Sequence, residues 1–116
     1  MAAAAIYAAP ARYEPFGLGI LEAAAAGCAL VLSDIPTLRE LWDDAAFFVA
    51  PGDDAGLAAA LRTLCEDRRP RTQLQTAALS RARAYRIEAT CEQYSALYDA
   101  LLGRASPVLA QREARA

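Results

Sequence analysis

Histidine, lysine and asparagine are all missing from this sequence. Without histidine the chain holds no Ser-His or Cys-His nucleophile pair and no imidazole metal ligand. All 12 basic residues are arginine, and 14 acidic residues bring the net charge to -2. That balance carries no basic footprint of the kind nucleic acid requires. Cysteine occurs only at Cys28, Cys65 and Cys91. An odd number at wide spacing argues against a disulfide frame or a metal cluster, so all three are expected to be reduced, buried thiols. No apolar run reaches the ~18 residues that a membrane-spanning helix needs. The opening Met-Ala-Ala-Ala-Ala has neither the charged nor the long apolar region of a secretory leader. The expected location is the cytoplasm, free or peripheral to the inner face of the membrane. What remains is an alanine-rich globular composition of 116 residues, enough for one small domain with a modest core.

One stretch organises the rest: Arg12-Tyr13-Glu14-Pro15-Phe16-Gly17-Leu18-Gly19-Ile20-Leu21-Glu22-Ala23. Pro15 fixes its own φ and turns Glu14 away from helical backbone. Gly17 permits a close backbone approach. Residues 18–26 contain no proline and wind into a helix that Gly27 ends. A helix start presents unpaired N–H groups and the positive end of a dipole, which suits phosphate. Carboxylates only accept hydrogen bonds, so Glu14 and Glu22 on either side suit hydroxyl pairs. Phosphate flanked by diols describes a nucleotide-sugar. The rise from Gly17 to Glu22 is roughly 8 Å, about the span from a diphosphate to a ribose. The same residues also fit a plain buried helix after a turn, with Glu22 as its polar edge.

Residues 3–8 form a short apolar run whose length fits strand or helix equally. Residues 28–32 form a continuous apolar run of strand length, as in a parallel sheet. Ser33 and Asp34 follow at its carboxyl end, where ligands of open α/β sheets gather. Thr37 is expected to cap a short helix over residues 38–42, with Glu40 completing a capping box. Residues 46–50 read as a third strand, closed by Pro51-Gly52. Asp53 is expected to cap the next helix, whose Leu57, Ala60, Leu61, Leu64 and Cys65 make one apolar stripe. A helix opened by Pro70 then runs to about Tyr85, with Leu74, Ala78 and Tyr85 inward and Arg71, Arg81 and Arg83 outward. A last helix over residues 88–102 carries a narrow seam of Ile87, Cys91, Tyr94, Tyr98 and Leu101, and Gly103 ends it. Residues 1–103 are expected to form one domain portion, and residues 104–116 a flexible tail.

Residues 14–22, E-P-F-G-L-G-I-L-E, resemble the E-x7-E motif of the retaining glycosyltransferases of GT-B type, family 4. The match continues through Ala23-Ala24-Ala25-Ala26-Gly27-Cys28-Ala29-Leu30-Val31, Ser33-Asp34-Ile35-Pro36, Leu38-Arg39-Glu40-Leu41 and Phe47-Phe48-Val49-Ala50-Pro51-Gly52-Asp53. A lone E-x7-E is a weak signal, but chained segments in family order are specific. The resemblance covers roughly residues 3–102.

It implies an α/β fold: part of a Rossmann-like GT-B C-terminal domain, with a small parallel sheet of two to three strands, flanking helices and a helical C-terminal end. It makes residues 3–8 a buried strand. It implies transfer of a sugar from a nucleotide diphosphate donor with retained configuration, without cofactor or metal. Glu14 would hold donor-sugar hydroxyls at the reacting centre, and Glu22 the ribose diol. Backbone amides near Phe16, Gly17 and Leu18 would meet the diphosphate. The acceptor, whether glycan, lipid or small molecule, is not specified by these residues. The family's phosphate-gripping Arg and Lys and its N-terminal domain lie upstream of anything matched here. The expectation is therefore a donor-binding piece, inactive alone, that works with a separate N-terminal half. Two other readings stay open: a non-catalytic interaction or scaffold module, and a nucleotide-sugar epimerase on the same architecture.

Overall fold

The computed structural model describes residues 3–104. The elements run β1 (Ile6–Ala9), α1 (Leu18–Ala25), β2 (Ala29–Ser33), α2 (Pro36–Trp42), β3 (Phe47–Val49), α3 (Asp54–Glu66), α4 (Arg68–Ala82), a 3-10 turn (Arg83–Tyr85) and α5 (Ile87–Leu101). They fall into two compact units, Met1–Arg83 and Ala84–Ala116. Apart from Arg104, the expected tail lies outside the described residues.

In the first unit the three strands are parallel and lie in chain order, β1-β2-β3. The register pairs Ile6 with Ala29 and Ala9 with Leu32, then Val31 with Phe47 and Ser33 with Val49. Every residue of β2 is buried, which explains why residues 29–32 are all apolar and do not alternate. Alternation along the strands sends side chains to two cores. Leu30 and Leu32 join Ile20, Ala23, Ala24, Leu38, Trp42, Ala78 and Ala82 in the larger one, with Tyr7 and Phe48 against it. Val31 on the opposite face meets Ala60 and Leu64, with Ile6, Val49, Leu57, Leu61 and Leu74 packed around them. The sheet is thus covered on both faces, as the α/β expectation requires. Ala23 and Ala24 are fully buried, so their small size sets how closely α1 packs on the sheet.

Several helix ends differ from their sequence reading. Thr37 does not cap α2. Ile35 holds the N-cap position in extended backbone, and Pro36 takes the first helical position, where its missing N–H costs nothing. Asp67, not Pro70, opens α4: its carboxylate accepts the Arg69 N–H at 2.9 Å. Asp53 caps α3 as expected, accepting from the Gly56 N–H at 2.8 Å. Arg71 and Arg81 turn inward instead of out. Arg71 donates to the carbonyls of Leu64 and Cys65, at the C-terminal end of α3. Arg81 donates to those of Leu41 and Asp43, at the end of α2. Each guanidinium satisfies carbonyls that a helix end leaves without partners. Of the thiols, Cys28 is buried and donates to the Ala4 carbonyl at 3.3 Å, whereas Cys65 and Cys91 are exposed.

The second unit is described as α5 and its short lead-in. Its seam runs along one side of the helix as the spacing predicts, but Ile87, Tyr94, Tyr98 and Leu101 are all more than half exposed. No helix among the described residues is long and apolar enough to cross a membrane.

Candidate functional site

A parallel strand followed by a returning helix puts the helix start at the carboxyl end of that strand. The loops after β1, β2 and β3 therefore share one edge of the sheet. The loop of residues 10–17 is the longest of them and leads into α1.

Gly17 opens α1 in left-handed backbone, at φ 83 and ψ 71, with no side-chain cap. It is buried, and an added Cβ would fall 2.6 Å from Ile20 Cδ1 and 3.4 Å from Glu14 Cγ. Glycine is required there for its φ and for its lack of a side chain. The first helical bond runs from the Leu21 N–H to the Gly17 carbonyl at 3.1 Å. The amides of Leu18, Gly19 and Ile20 therefore have no acceptor within the helix. Gly19 fits close against β1, since a Cβ on it would sit 2.8 Å from the Tyr7 hydroxyl oxygen.

Glu14 is half-buried before this turn, and Phe16 is half-buried within it. The Glu14 carbonyl accepts a hydrogen bond of 2.7 Å from Thr37 Oγ1–H on α2. Glu22 is exposed, and it shares its side of α1 with the exposed Leu18 four residues earlier. Helical side chains tilt toward the N-terminus, so Glu22 leans toward the uncapped amides. The helix thus brings together Gly17, Leu18 and Glu22, and the loop adds Glu14 and Phe16.

The neighbouring loop is braced by charge. Arg39 donates from Nε and Nη2 to the two carboxylate oxygens of Asp34, at 2.7 and 3.0 Å, and from Nη1 to Asp43 at 3.1 Å. Its guanidinium also lies 4.0 Å from the centre of the Phe48 ring. The Arg39 hydrogen bonds hold the Asp34 carboxyl below its ordinary range, and the two carboxylates push Arg39 up. Asp34 is therefore committed to Arg39. Ser33 is the buried polar side chain at this edge. A small depression lined by Pro10, Ser33, Ala50, Gly52 and Asp53 lies between the ends of β2 and β3, and the E-x7-E residues are not part of its lining. An open groove of about 740 Å³ runs along α4 past Arg68, Thr72, Thr76 and Ser80. No group of three or more acidic, cysteine or histidine residues among the described residues is placed to hold a metal ion.

The sequence singled out the helix start and its two acids. It did not mark Thr37 as a partner of Glu14, because a bond across 23 residues has no local signature.

The family profile described as "Glycosyl transferases group 1" matches residues 1–81. This chain belongs to the group 1 glycosyltransferases. Its described part has the small parallel sheet and flanking helices of a partial GT-B domain. It is 46% identical over 85 residues to a glycogen synthase of Mycobacterium tuberculosis, covering 72% of this chain and 19% of that protein. It is 37% identical over 106 residues to a phosphatidyl-myo-inositol mannosyltransferase of Mycolicibacterium smegmatis, covering 89% of this chain and 28% of that one. Among solved structures, the sucrose-phosphate synthase of Thermosynechococcus elongatus superposes with a TM-score of 0.75 at 28% identity, over 85% of this glycosyltransferase chain and 26% of that one. The chain thus spans between a fifth and a little over a quarter of the length of these relatives.

Proposed function

We propose that this chain supplies the donor-binding face of a retaining nucleotide-sugar glycosyltransferase and turns over only with the rest of a two-domain enzyme. One observation carries the reading: α1 starts at an uncapped Gly17 on the carboxyl edge of the sheet, with a carboxylate on each side. The amides of Leu18 and its neighbours, with the backbone at Phe16 and Gly17, receive the donor diphosphate. Their dipoles are already oriented toward the charge that grows on the leaving diphosphate, so no reorganisation is needed as the glycosidic bond breaks. Glu22 accepts hydrogen bonds from the ribose diol. Glu14 accepts from donor-sugar hydroxyls beside the reacting carbon. The two acids sit at opposite ends of the donor and do not form the across-the-bond pair of a glycoside hydrolase. The names of the relatives, a glycogen synthase and a mannosyltransferase, support a hexosyl donor.

Calorimetric titration with UDP, GDP and ADP and their sugars tests this. Glu22→Ala is expected to weaken nucleotide binding by about 1.5–3 kcal/mol, or less where the site is open to water. An unchanged affinity removes Glu22 from the site. Binding of no nucleotide at all favours an interaction module, and release of epimerised sugar favours an epimerase.

A further inference from the structure

Glu14 lies in the loop that joins β1 to α1. Pro15 follows it and has no N–H with which to fasten the chain. Backbone bonds fasten both ends of the loop: Ala11 N–H to the Ala9 carbonyl, and Leu21 N–H to the Gly17 carbonyl. In the middle, Thr37 Oγ1–H holds the Glu14 carbonyl at 2.7 Å. That bond orients the rigid Glu14–Pro15 peptide plane. The plane sets ψ of Glu14, and with it the direction in which Cβ leaves the backbone.

Thr37 is itself immobilised. Ile35 is extended at φ -123 and ψ 150, and Pro36 fixes the first residue of α2. The Asp34 N–H donates to the Val49 carbonyl at 2.8 Å, and the Ile35 N–H to the Ser33 carbonyl at 2.9 Å. Arg39 ties α2 back to the turn through both oxygens of Asp34. Leu38, the next residue, is fully buried. A helical threonine has two χ1 rotamers open to it, and the bond to the Glu14 carbonyl selects one.

Resting on the donor-site reading above, we infer that Thr37 is a positioning residue. Through the Glu14 carbonyl it aims the Glu14 carboxylate at the donor sugar, and so governs how much affinity comes from the sugar as distinct from the nucleotide diphosphate. A bond that merely fastened two loops together would affect stability and leave that division unchanged.

The test uses the 116-residue chain and its Thr37→Val, Thr37→Ser and Glu14→Gln variants. Each is titrated with UDP, GDP and ADP and with UDP-glucose, GDP-mannose and ADP-glucose. Thr37→Val is expected to lower nucleotide-sugar affinity by about three- to tenfold, the worth of one neutral hydrogen bond, with nucleotide diphosphate affinity held within about twofold. Thr37→Ser keeps the donor and restores the sugar's contribution. Nitrogen-15 relaxation of the Tyr13 and Glu14 amides should report a looser loop in Thr37→Val and a native one in Thr37→Ser. Equal loss for diphosphate and sugar, no loss for either, or unchanged relaxation overturns the inference. If Glu14→Gln loses the sugar's contribution and Thr37→Val does not, Thr37 fails while the donor site stands. If Glu14→Gln loses nothing, or no nucleotide binds at all, the donor-site reading fails and takes this inference with it.

Discussion

Replacing Gly17 by alanine tests the backbone geometry of the helix start. Two costs add. The residue sits at φ 83, in left-handed backbone, where a Cβ costs about 1–2 kcal/mol. That Cβ would also lie 2.6 Å from Ile20 Cδ1 and 3.1 Å from Cγ1, well inside the ~3.5–4 Å optimum for carbon pairs. Ile20 is 2% exposed and belongs to the larger core, so it cannot swing into solvent. Overpacking of this kind costs about 1–3 kcal/mol, which puts the total at about 2–5 kcal/mol. Small domains lose roughly 4–8 °C of melting temperature per kcal/mol, so a fall of about 8–40 °C is expected. Gly27→Ala is the matched control. Its φ is 86, but nothing lies within 4 Å of the added Cβ, so it carries the backbone cost alone. Thermal melts followed by far-ultraviolet circular dichroism compare the two. If Gly17→Ala melts as high as Gly27→Ala, the tight contact between Gly17 and Ile20 is refuted.

Thiol labelling with an aromatic disulfide should titrate Cys65 and Cys91 quickly and Cys28 only after denaturation, since only Cys28 is buried; three fast thiols would contradict that packing. The Asp34 carboxyl is held below its ordinary value by hydrogen bonds from Arg39, so the folded state binds its proton less readily than the unfolded chain. Its stabilising effect is complete above about pH 4 and fades as the pH drops through the folded-state value. Asp34→Asn should therefore lower the melting temperature near neutrality and flatten its acid dependence, both modestly for so exposed a pair. A melting curve equally steep in acid for both proteins would remove Asp34 from that dependence.

Features governed by neighbours in the chain were readable from it. Gly17 and Gly27 bracket α1, the buried run of β2 has no polar break, and Asp53 caps α3 from three residues away. The placement of two acids about one helix start was readable for the same reason, because all three lie within nine consecutive residues. Errors arose where a side chain finds a partner far along the chain. Arg81 looked like a solvated face of α4, yet it donates to carbonyls about 40 residues earlier. Thr37 carries the residue type of a helix cap but spends its hydroxyl on Glu14. Arg71 lies nearer to its carbonyls, but the break at Asp67 turns α4 back to reach them. The seam of α5 was legible as a pattern, but periodicity records which residues share a side of a helix and not whether anything covers them.

The sheet's strands lie in space in the order in which the chain presents them. Each strand after the first adds to an edge that already exists, and none has to wait for a later one to be inserted between its neighbours. Assembly can therefore keep pace with synthesis, which proceeds from the N-terminal end. Val31 and Leu32 gain one neighbour from β1 when their strand docks and the second when Phe47 and Phe48 arrive. The most apolar strand is thus exposed on one side only for as long as the few residues of α2 and its turns take to emerge.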